Sequence, residues 1–242
     1  MIQVLPDLDS LSRRAAELLV QQAREVSRDR GQFSLVLSGG HTPRRMYELL
    51  SKDPFRDQLS WERVHVFWGD ERCVPSDDPR SNEYMARQTL LNHVLIPPLQ
   101  IHPIHCTQRV REAALEYEAL IRTFFEDRVP RFDFVVLGLG EDGHTASLFP
   151  KTHVLEERER WVAELYVSEQ DLYRMTLTVP IINQAEMVAF LVAGTTKAQI
   201  LQEVLEGPFD PYRLPAQLIR PTSGKLLWLV DAESASLLRR AV

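Results

Sequence analysis

Apolar residues recur along this chain with two different periods. From Asp7 to about Arg28 they fall at Leu8, Leu11, Ala15, Leu18, Leu19 and Val26, the spacing of a helix with one buried face. Gly31 stands where such helices end. Residues 2–5 predict a short strand ahead of that helix. Phe33-Ser-Leu-Val-Leu37, Val64-His-Val-Phe-Trp68, Phe132 to Leu137, Met187 to Ala193 and Leu226 to Val230 are continuous apolar runs rich in β-branched and aromatic residues. Runs of that length and composition predict strands buried on both faces. Trp161 to Val167 and Met175 to Val179 predict two further strands. Helices are expected from Pro43 to about Leu50 with Thr42 as N-cap, from Ser81 or Asn82 to about Leu91, from Val110 to about Phe125, after Lys197 to about Leu205, and over 232–240. Pro180 to Ala185 fits one helical turn, and the Pro- and His-rich stretch 92–108 fits an irregular segment.

Strand, turn and helix follow one another at least four times. That alternation predicts an α/β protein, doubly wound and Rossmann-like in a modified form, with a mostly parallel sheet flanked by helices. There is no internal repeat and no low-complexity linker, so residues 1–242 are expected to form a single domain.

The turns after the strands carry the chemistry. Three glycines, Gly138, Gly140 and Gly143, follow the strand ending at Leu137, with Asp142 and His144 among and just after them. Ser38-Gly39-Gly40-His41-Thr42 follows another strand, Asp70-Glu71-Arg72 a third, and Thr195-Thr196-Lys197 a fourth. In a parallel sheet the carboxyl ends of the strands share one edge, so these clusters are expected to meet in one crevice. His144 is the candidate acid–base catalyst, since an imidazole changes charge near neutral pH. Asp142 either orients it or holds the turn. Ser38–Thr42 serves either as a tight turn and helix cap or as an anion cradle, in which glycines let backbone N–H groups approach a phosphate at a helix N-terminus. Lys197 is a cation in a first helical turn, where an anionic ligand would account for it. Arg72 and Arg174 are candidate guanidinium forks for that anion. Glu71 reads as a partner in a surface ion pair, and Glu156 to Arg160 as a solvated charge run. His65, His93, His102, His105 and His153 read as packing or surface residues.

Composition narrows the classes. A net charge of −6 over 242 residues, with both signs spread along the chain, argues against nucleic acid as the main partner. No stretch approaches the roughly 18 apolar residues of a membrane span, and Met1-Ile-Gln-Val-Leu-Pro-Asp lacks the pattern of a signal peptide. Two cysteines, Cys73 and Cys106, suggest neither a disulfide framework nor a metal cluster, and so a reducing cytoplasm. No metal-ligand spacing and no Gly-x-Ser-x-Gly elbow is present. Gly138-Leu-Gly140-Glu-Asp-Gly143 matches the dinucleotide fingerprint, but Glu141 and Asp142 would face the pyrophosphate, Pro150 cuts short the helix that should follow, and the strand is not the first in the chain.

These residues also carry a resemblance. Gly138-Leu-Gly-Glu-Asp-Gly-His-Thr-Ala-Ser-Leu-Phe-Pro150 resembles the signature of the 6-phosphogluconolactonase family. Leu37-Ser-Gly-Gly-His-Thr-Pro43, Phe67-Trp-Gly-Asp-Glu-Arg72, Ser81-Asn82, Arg174-Met-Thr-Leu-Thr-Val-Pro180 and Gly194-Thr-Thr-Lys197 fit the same family. So do Pro215-Ala-Gln-Leu-Ile-Arg-Pro221 and Trp228-Leu-Val-Asp231, and the blocks run in family order over nearly the whole chain. The resemblance implies hydrolysis of a phosphorylated sugar lactone without metal or nucleotide cofactor. In that reading His144 and Asp142 are catalytic, and Ser38, Gly39, Gly40, His41, Thr42, Asp70, Arg72, Gly140, Gly143, Arg174 and Lys197 bind substrate. The partner expected is the small-molecule lactone, with no nucleic acid or membrane, for a monomer or small homo-oligomer. The superfamily also holds glucosamine-6-phosphate deaminase, which resembles this chain at the Asp-Gly-His turn but carries a glutamate five residues after the histidine. Phe149 stands there in this chain, and an apolar ring relays no proton. A sugar-phosphate isomerase or deaminase is the alternative enzyme. A non-catalytic sugar-phosphate regulator is a third reading, for which the chain shows no basic DNA-binding helix.

Overall fold

The computed structural model describes residues 1–106, 109–126 and 128–239. In chain order the elements are β1 (Ile2–Leu5), α1 (Leu8–Arg30), β2 (Phe33–Leu37), α2 (His41–Leu50), β3 (Val64–Trp68), β4 (Asp70–Arg72), α3 (Asn82–Thr89), α4 (Val110–Phe124), β5 (Phe134–Leu137), β6 (Val162–Val167), β7 (Leu172–Leu177), α5 (Val179–Ile182), β8 (Met187–Val192), α6 (Ala198–Glu206) and β9 (Lys225–Asp231). Six strands form one parallel sheet in the order β1-β9-β8-β5-β2-β3. β2, β5 and β8 are buried at every residue. Both faces of these central strands are covered, so their sequences read as unbroken apolar runs and do not alternate. One contiguous core runs through the molecule, and Phe190 and Trp228 stack across β8 and β9 with ring centroids 3.8 Å apart. Each fully buried phenylalanine, such as Phe33, Phe134 or Phe190, stabilises the fold by about 1.5–3 kcal/mol.

The order reverses beside β2: β3 lies on one side of it, and β5, β8, β9 and β1 on the other. A doubly wound sheet opens a crevice at such a switch point, outside the carboxyl ends of its strands. The turns after β2 and β5 border that crevice.

The strand pattern holds for the large sheet and differs elsewhere. At Gly69 the chain leaves the parallel sheet. The Gly69 N–H donates to the Leu37 carbonyl at 2.9 Å, and the Gly69 carbonyl accepts from Leu177 at 2.7 Å. Residues 70–72 then form β4, a strand of a second, antiparallel sheet ordered β4-β7-β6. Strand β7 starts and stops earlier than its apolar run predicts, at Leu172 and Leu177. Helix α2 begins at His41 with Gly40 as its N-cap, and Thr42 does not cap it. Gly40 sits at φ 99°, a conformation that L side chains avoid. The expected helix over 232–240 is a run of turns over 232–237, and residue 240 lies outside the described residues, as do 107 and 108 of the irregular segment. Cys73 and Cys106 are joined in a disulfide, Cα atoms 5.1 Å apart, where the sequence suggested unpaired thiols. Their distance of 33 residues along the chain hid the pairing. Among the described residues no helix is long and apolar enough to cross a membrane.

Candidate active site

A cleft of about 440 Å³ opens at the switch point. It is lined by Ser38, Gly39, Gly40, His41, Thr42, Asp70, Arg72, Gly140, His144, Arg174 and Lys197 among others. All four polar turns therefore meet there, and of the thirteen residues singled out from sequence all but Asp142 and Gly143 line it.

The turn after β2 is fixed from behind by Tyr47. Its buried hydroxyl accepts from the Ser38 N–H and donates to the Ser38 carbonyl, both at 2.9 Å, and burial pushes the phenol up. The first turn of α2 then faces the cleft, and its leading N–H groups have no intrahelical acceptor.

The turn after β5 presents the imidazole. Gly140 N–H donates to the His144 carbonyl at 2.8 Å, and Gly143 N–H to the Gly140 carbonyl at 3.1 Å. The loop thus spends these N–H groups on its own closure. His144 Nδ1 lies 2.5 Å from Asp142 Oδ1, which also accepts the His144 N–H at 3.1 Å. Burial raises the Asp142 carboxyl, but the hydrogen bonds and charge of His144 outweigh it, and its pKa falls below the usual carboxylate range. An ionised carboxylate only accepts, so Nδ1 carries the hydrogen and Nε2 is the basic nitrogen. Gly140 is required by close approach: a Cβ there would lie 2.1 Å from Nδ1. Gly143, at φ 85°, turns toward Leu214 and anchors Ala216 N–H through its carbonyl. Phe149 packs its ring against His144, centroids 4.3 Å apart. Ala146 lines the cleft at φ 48°, a strained conformation for alanine.

Three cations line the same cleft. Arg174 is not ahead of its strand but inside β7, only 5% exposed. Its Nη1 is 3.6 Å from Asp70 Oδ2, its Nη2 donates to Gln170, and its buried Nε has no hydrogen-bond partner among the described residues. Burial lowers its pKa, Asp70 opposes this, and neighbouring Arg72 adds to the lowering. A buried guanidinium so incompletely compensated favours an incoming anion. Arg72 donates from Nη1 to the Arg80 carbonyl at 2.7 Å and to Asn82 Oδ1 at 3.0 Å. Lys197, its side chain 23% exposed, lines the cleft with Glu141 of the histidine turn at 3.8 Å. Its turn is tied down by the Asp231 carboxylate, which accepts the Gly194 N–H.

Glu71 is no surface residue. It is 4% exposed and accepts from the N–H groups of Arg72, Asn82 and Glu83 and from Ser81 Oγ. The carboxylate thus secures the start of α3 from β4, and burial raises its pKa against the pull of those hydrogen bonds. Sequence reasoning also gave no site role to Asn82, Gln170 or Ser147, which reach the cleft residues through side-chain contacts.

This fold and this cleft have relatives. The family model described as glucosamine-6-phosphate isomerases/6-phosphogluconolactonase matches residues 6–228. The chain belongs to that family. A 6-phosphogluconolactonase from Synechocystis is 42% identical over 98% of both chains, and one from Nostoc is 39% identical over 97% of both. Among solved structures, the 6-phosphogluconolactonase of Trypanosoma brucei superposes with a TM-score of 0.86 over 98% of each chain, at 28% identity. Within the family, then, this chain is an enzyme of the lactonase kind, and the doubly wound sheet is the family fold.

Proposed function

We propose that this chain hydrolyses 6-phospho-D-glucono-1,5-lactone to 6-phosphogluconate, a step of the oxidative pentose phosphate pathway, in the cytoplasm, by general acid–base catalysis. The observation that carries the reading is one cleft lined both by His144, which Asp142 holds, and by three cations, Arg72, Arg174 and Lys197. A lactone is an activated ester and needs only an activated water. His144 Nε2 takes a proton from that water, and the hydroxide adds to the carbonyl carbon. The tetrahedral oxyanion collapses, the bond to the ring oxygen breaks, and the imidazolium returns its proton to that oxygen. Asp142 holds the ring in the right tautomer and stabilises its charged form. Such acid–base help contributes on the order of 10²- to 10⁴-fold. The route calls for no metal, nucleotide or covalent intermediate. The 6-phosphate sits on the first turn of α2 with Ser38–Thr42, Lys197 and the two guanidiniums around it.

The N–H groups of Gly140, Gly143 and His144 are engaged within the turn and do not serve an oxyanion. Phe149 against the His144 ring supports hydrolysis over amino-sugar chemistry, since nothing at that position passes a proton. The test is a pH-stat assay on fresh lactone, corrected for spontaneous opening. His144→Ala is expected to keep the fold and lose most activity. Activity within a few-fold of wild type would remove His144 from the mechanism.

A further inference from the structure

Asn82 is 1% exposed, yet it touches three parts of the cleft at once. Its Oδ1 accepts from Arg72 Nη1 at 3.0 Å. Its Nδ2 donates to the Asp70 carbonyl at 2.8 Å and reaches Asp70 Oδ1 at 3.3 Å. Its carboxamide also fills the space where Gly39 lacks a side chain, for a Cβ on Gly39 would lie 2.0 Å from Oδ1. Asp70 in turn accepts from Ser147 Oγ at 2.7 Å and faces Arg174 Nη1 at 3.6 Å. Ser147 lies three residues beyond His144 in the same turn.

A carboxamide suits this place for a physical reason. It must accept from a guanidinium on one side and donate to a backbone carbonyl and a carboxylate on the other. Among side chains of that size only asparagine does both without charge. Arg72 has two acceptors on Nη1, neither of them ionised, so its charge is oriented without being neutralised. Asp70 accepts from Ser147 and Asn82 and faces the Arg174 guanidinium, and its negative charge suits it to hold cations and not to contact a phosphate.

We propose that Asn82 is a positioning residue. With Asp70 it joins Arg72 and Arg174 into one preorganised anion clamp, registered against the Gly39 cradle and the histidine turn. The inference rests on the phosphate-binding reading of this cleft. Its consequence is that removing the Asn82 carboxamide selectively weakens recognition of the phosphate and spares the chemical step.

The test uses Asn82→Leu, which keeps the volume and removes both hydrogen-bonding ends, and Asn82→Ala in case the larger side chain disturbs packing. Calorimetric binding of 6-phosphogluconate and of gluconate reads the phosphate preference without relying on turnover. Loss of a hydrogen bond to a charged group predicts a fall in that preference of roughly tenfold to a hundredfold. In turnover, KM for the phosphorylated lactone is expected to rise by a similar factor, with kcat and the KM for unphosphorylated gluconolactone within about threefold of wild type. A phosphate preference unchanged within about twofold in a folded variant overturns the inference and leaves the lactonase reading standing. Equal losses on phosphorylated and unphosphorylated ligands overturn it too, because they indicate a merely structural role. A wild type that does not distinguish 6-phosphogluconate from gluconate overturns the phosphate reading and this inference together.

Discussion

The sharpest perturbation of the proposed chemistry is Asp142→Asn. Asp142 Oδ1 meets both the Nδ1 and the N–H of His144. An asparagine keeps an oxygen that can accept the backbone N–H, so the turn and the stability of the fold are expected to persist. What changes is the ring. The hydrogen bond loses its charge, and charge-assisted bonds contribute about 1.5–3 kcal/mol against about 0.5–1.5 for neutral ones. That difference alone weakens stabilisation of the imidazolium by about 1 kcal/mol or somewhat more, roughly a fivefold to tenfold fall in rate. The amide can also turn its NH₂ toward Nδ1. Nδ1 would then accept, the hydrogen would move to Nε2, and the basic nitrogen facing the water would be lost. The corresponding substitution in serine proteases costs about 10⁴-fold by this route. We therefore expect kcat to fall by roughly 10²- to 10⁴-fold, the span of general-base catalysis, with KM for the phosphorylated lactone nearly unchanged. The assay is the pH-stat measurement at saturating substrate, with thermal unfolding run in parallel. A kcat within about threefold of wild type in a folded variant would refute the tautomer argument and return Asp142 to a role in shaping the turn.

Other outcomes follow from particular contacts. Gly140→Ala puts a methyl 2.1 Å from His144 Nδ1 and 2.7 Å from Asp142 Oδ1. The ring must shift, and a fall in kcat of about 10²-fold is expected with little change in melting temperature; an unaffected kcat would show that the pair need not sit where it does. His102, stacked on Phe67 and 3.1 Å from His65, is held down to about 4 by burial and then by the charge of His65. An unfolded histidine protonates at about 6.5. Between these values the unfolded chain binds more protons, so stability should fall as pH drops from about 6.5 toward 4, and His102→Gln should flatten that slope in urea titrations at several pH values. The Cys73–Cys106 bond closes a 33-residue separation, and its reduction with a dithiol is expected to cost roughly 3–4 kcal/mol in the same titrations. An unchanged urea midpoint would mean that the bond does not constrain the unfolded chain.

What the sequence disclosed, and what it hid, follows from the range of the interactions. β2, β3, β5, β8 and β9 were readable because a strand buried on both faces must be apolar at nearly every position. The crevice was readable because parallel strands place their outgoing turns on one edge. β4 was not, because Asp70-Glu71-Arg72 has no strand-forming side chains of its own. It is a strand through its pairing with β7, where Asp70 faces Thr176 and Arg72 faces Arg174. The predicted last helix failed locally. Asp231 Oδ1 accepts the Ser234 N–H at 2.8 Å as an N-cap would, and the Ala235 N–H reaches the Asp231 carbonyl at 3.0 Å. The bonds that follow, Ser236 to Glu233 and Leu238 to Ala235, span only three residues, so the first turn tightens and is not continued as α-helix. Glu71 looked like a surface acid because its four donors lie up to 12 residues away. Asn82 and Ser147 were invisible as site residues for the same reason, since 12 and 77 residues separate them from Asp70.

The electrostatics of the cleft bear on direction as well as recognition. A chain of net charge −6 gives no long-range attraction to a sugar phosphate, so the anion must be held by local cations. Arg174 supplies that from a buried site, with Asp70 at 3.6 Å and the charge of Glu71 only partly offsetting its burial. Lys197 is paired among the described residues with the exposed Glu141, at 3.8 Å, and such a pair is worth little in water. In the proposed reaction the phosphate charge does not change, while the lactone, neutral at its ring, becomes a carboxylate. The new charge forms at the His144 end of the cleft, near Asp142, whose own carboxyl is held ionised by that histidine. Substrate and product are therefore alike at the phosphate and opposed at the reacting end. The clamp binds both equally and so contributes affinity without driving the chemistry, while repulsion from Asp142 falls on the product alone. The arrangement thus favours release of the opened acid, and it assigns specificity to the cations and turnover to the histidine of one cleft.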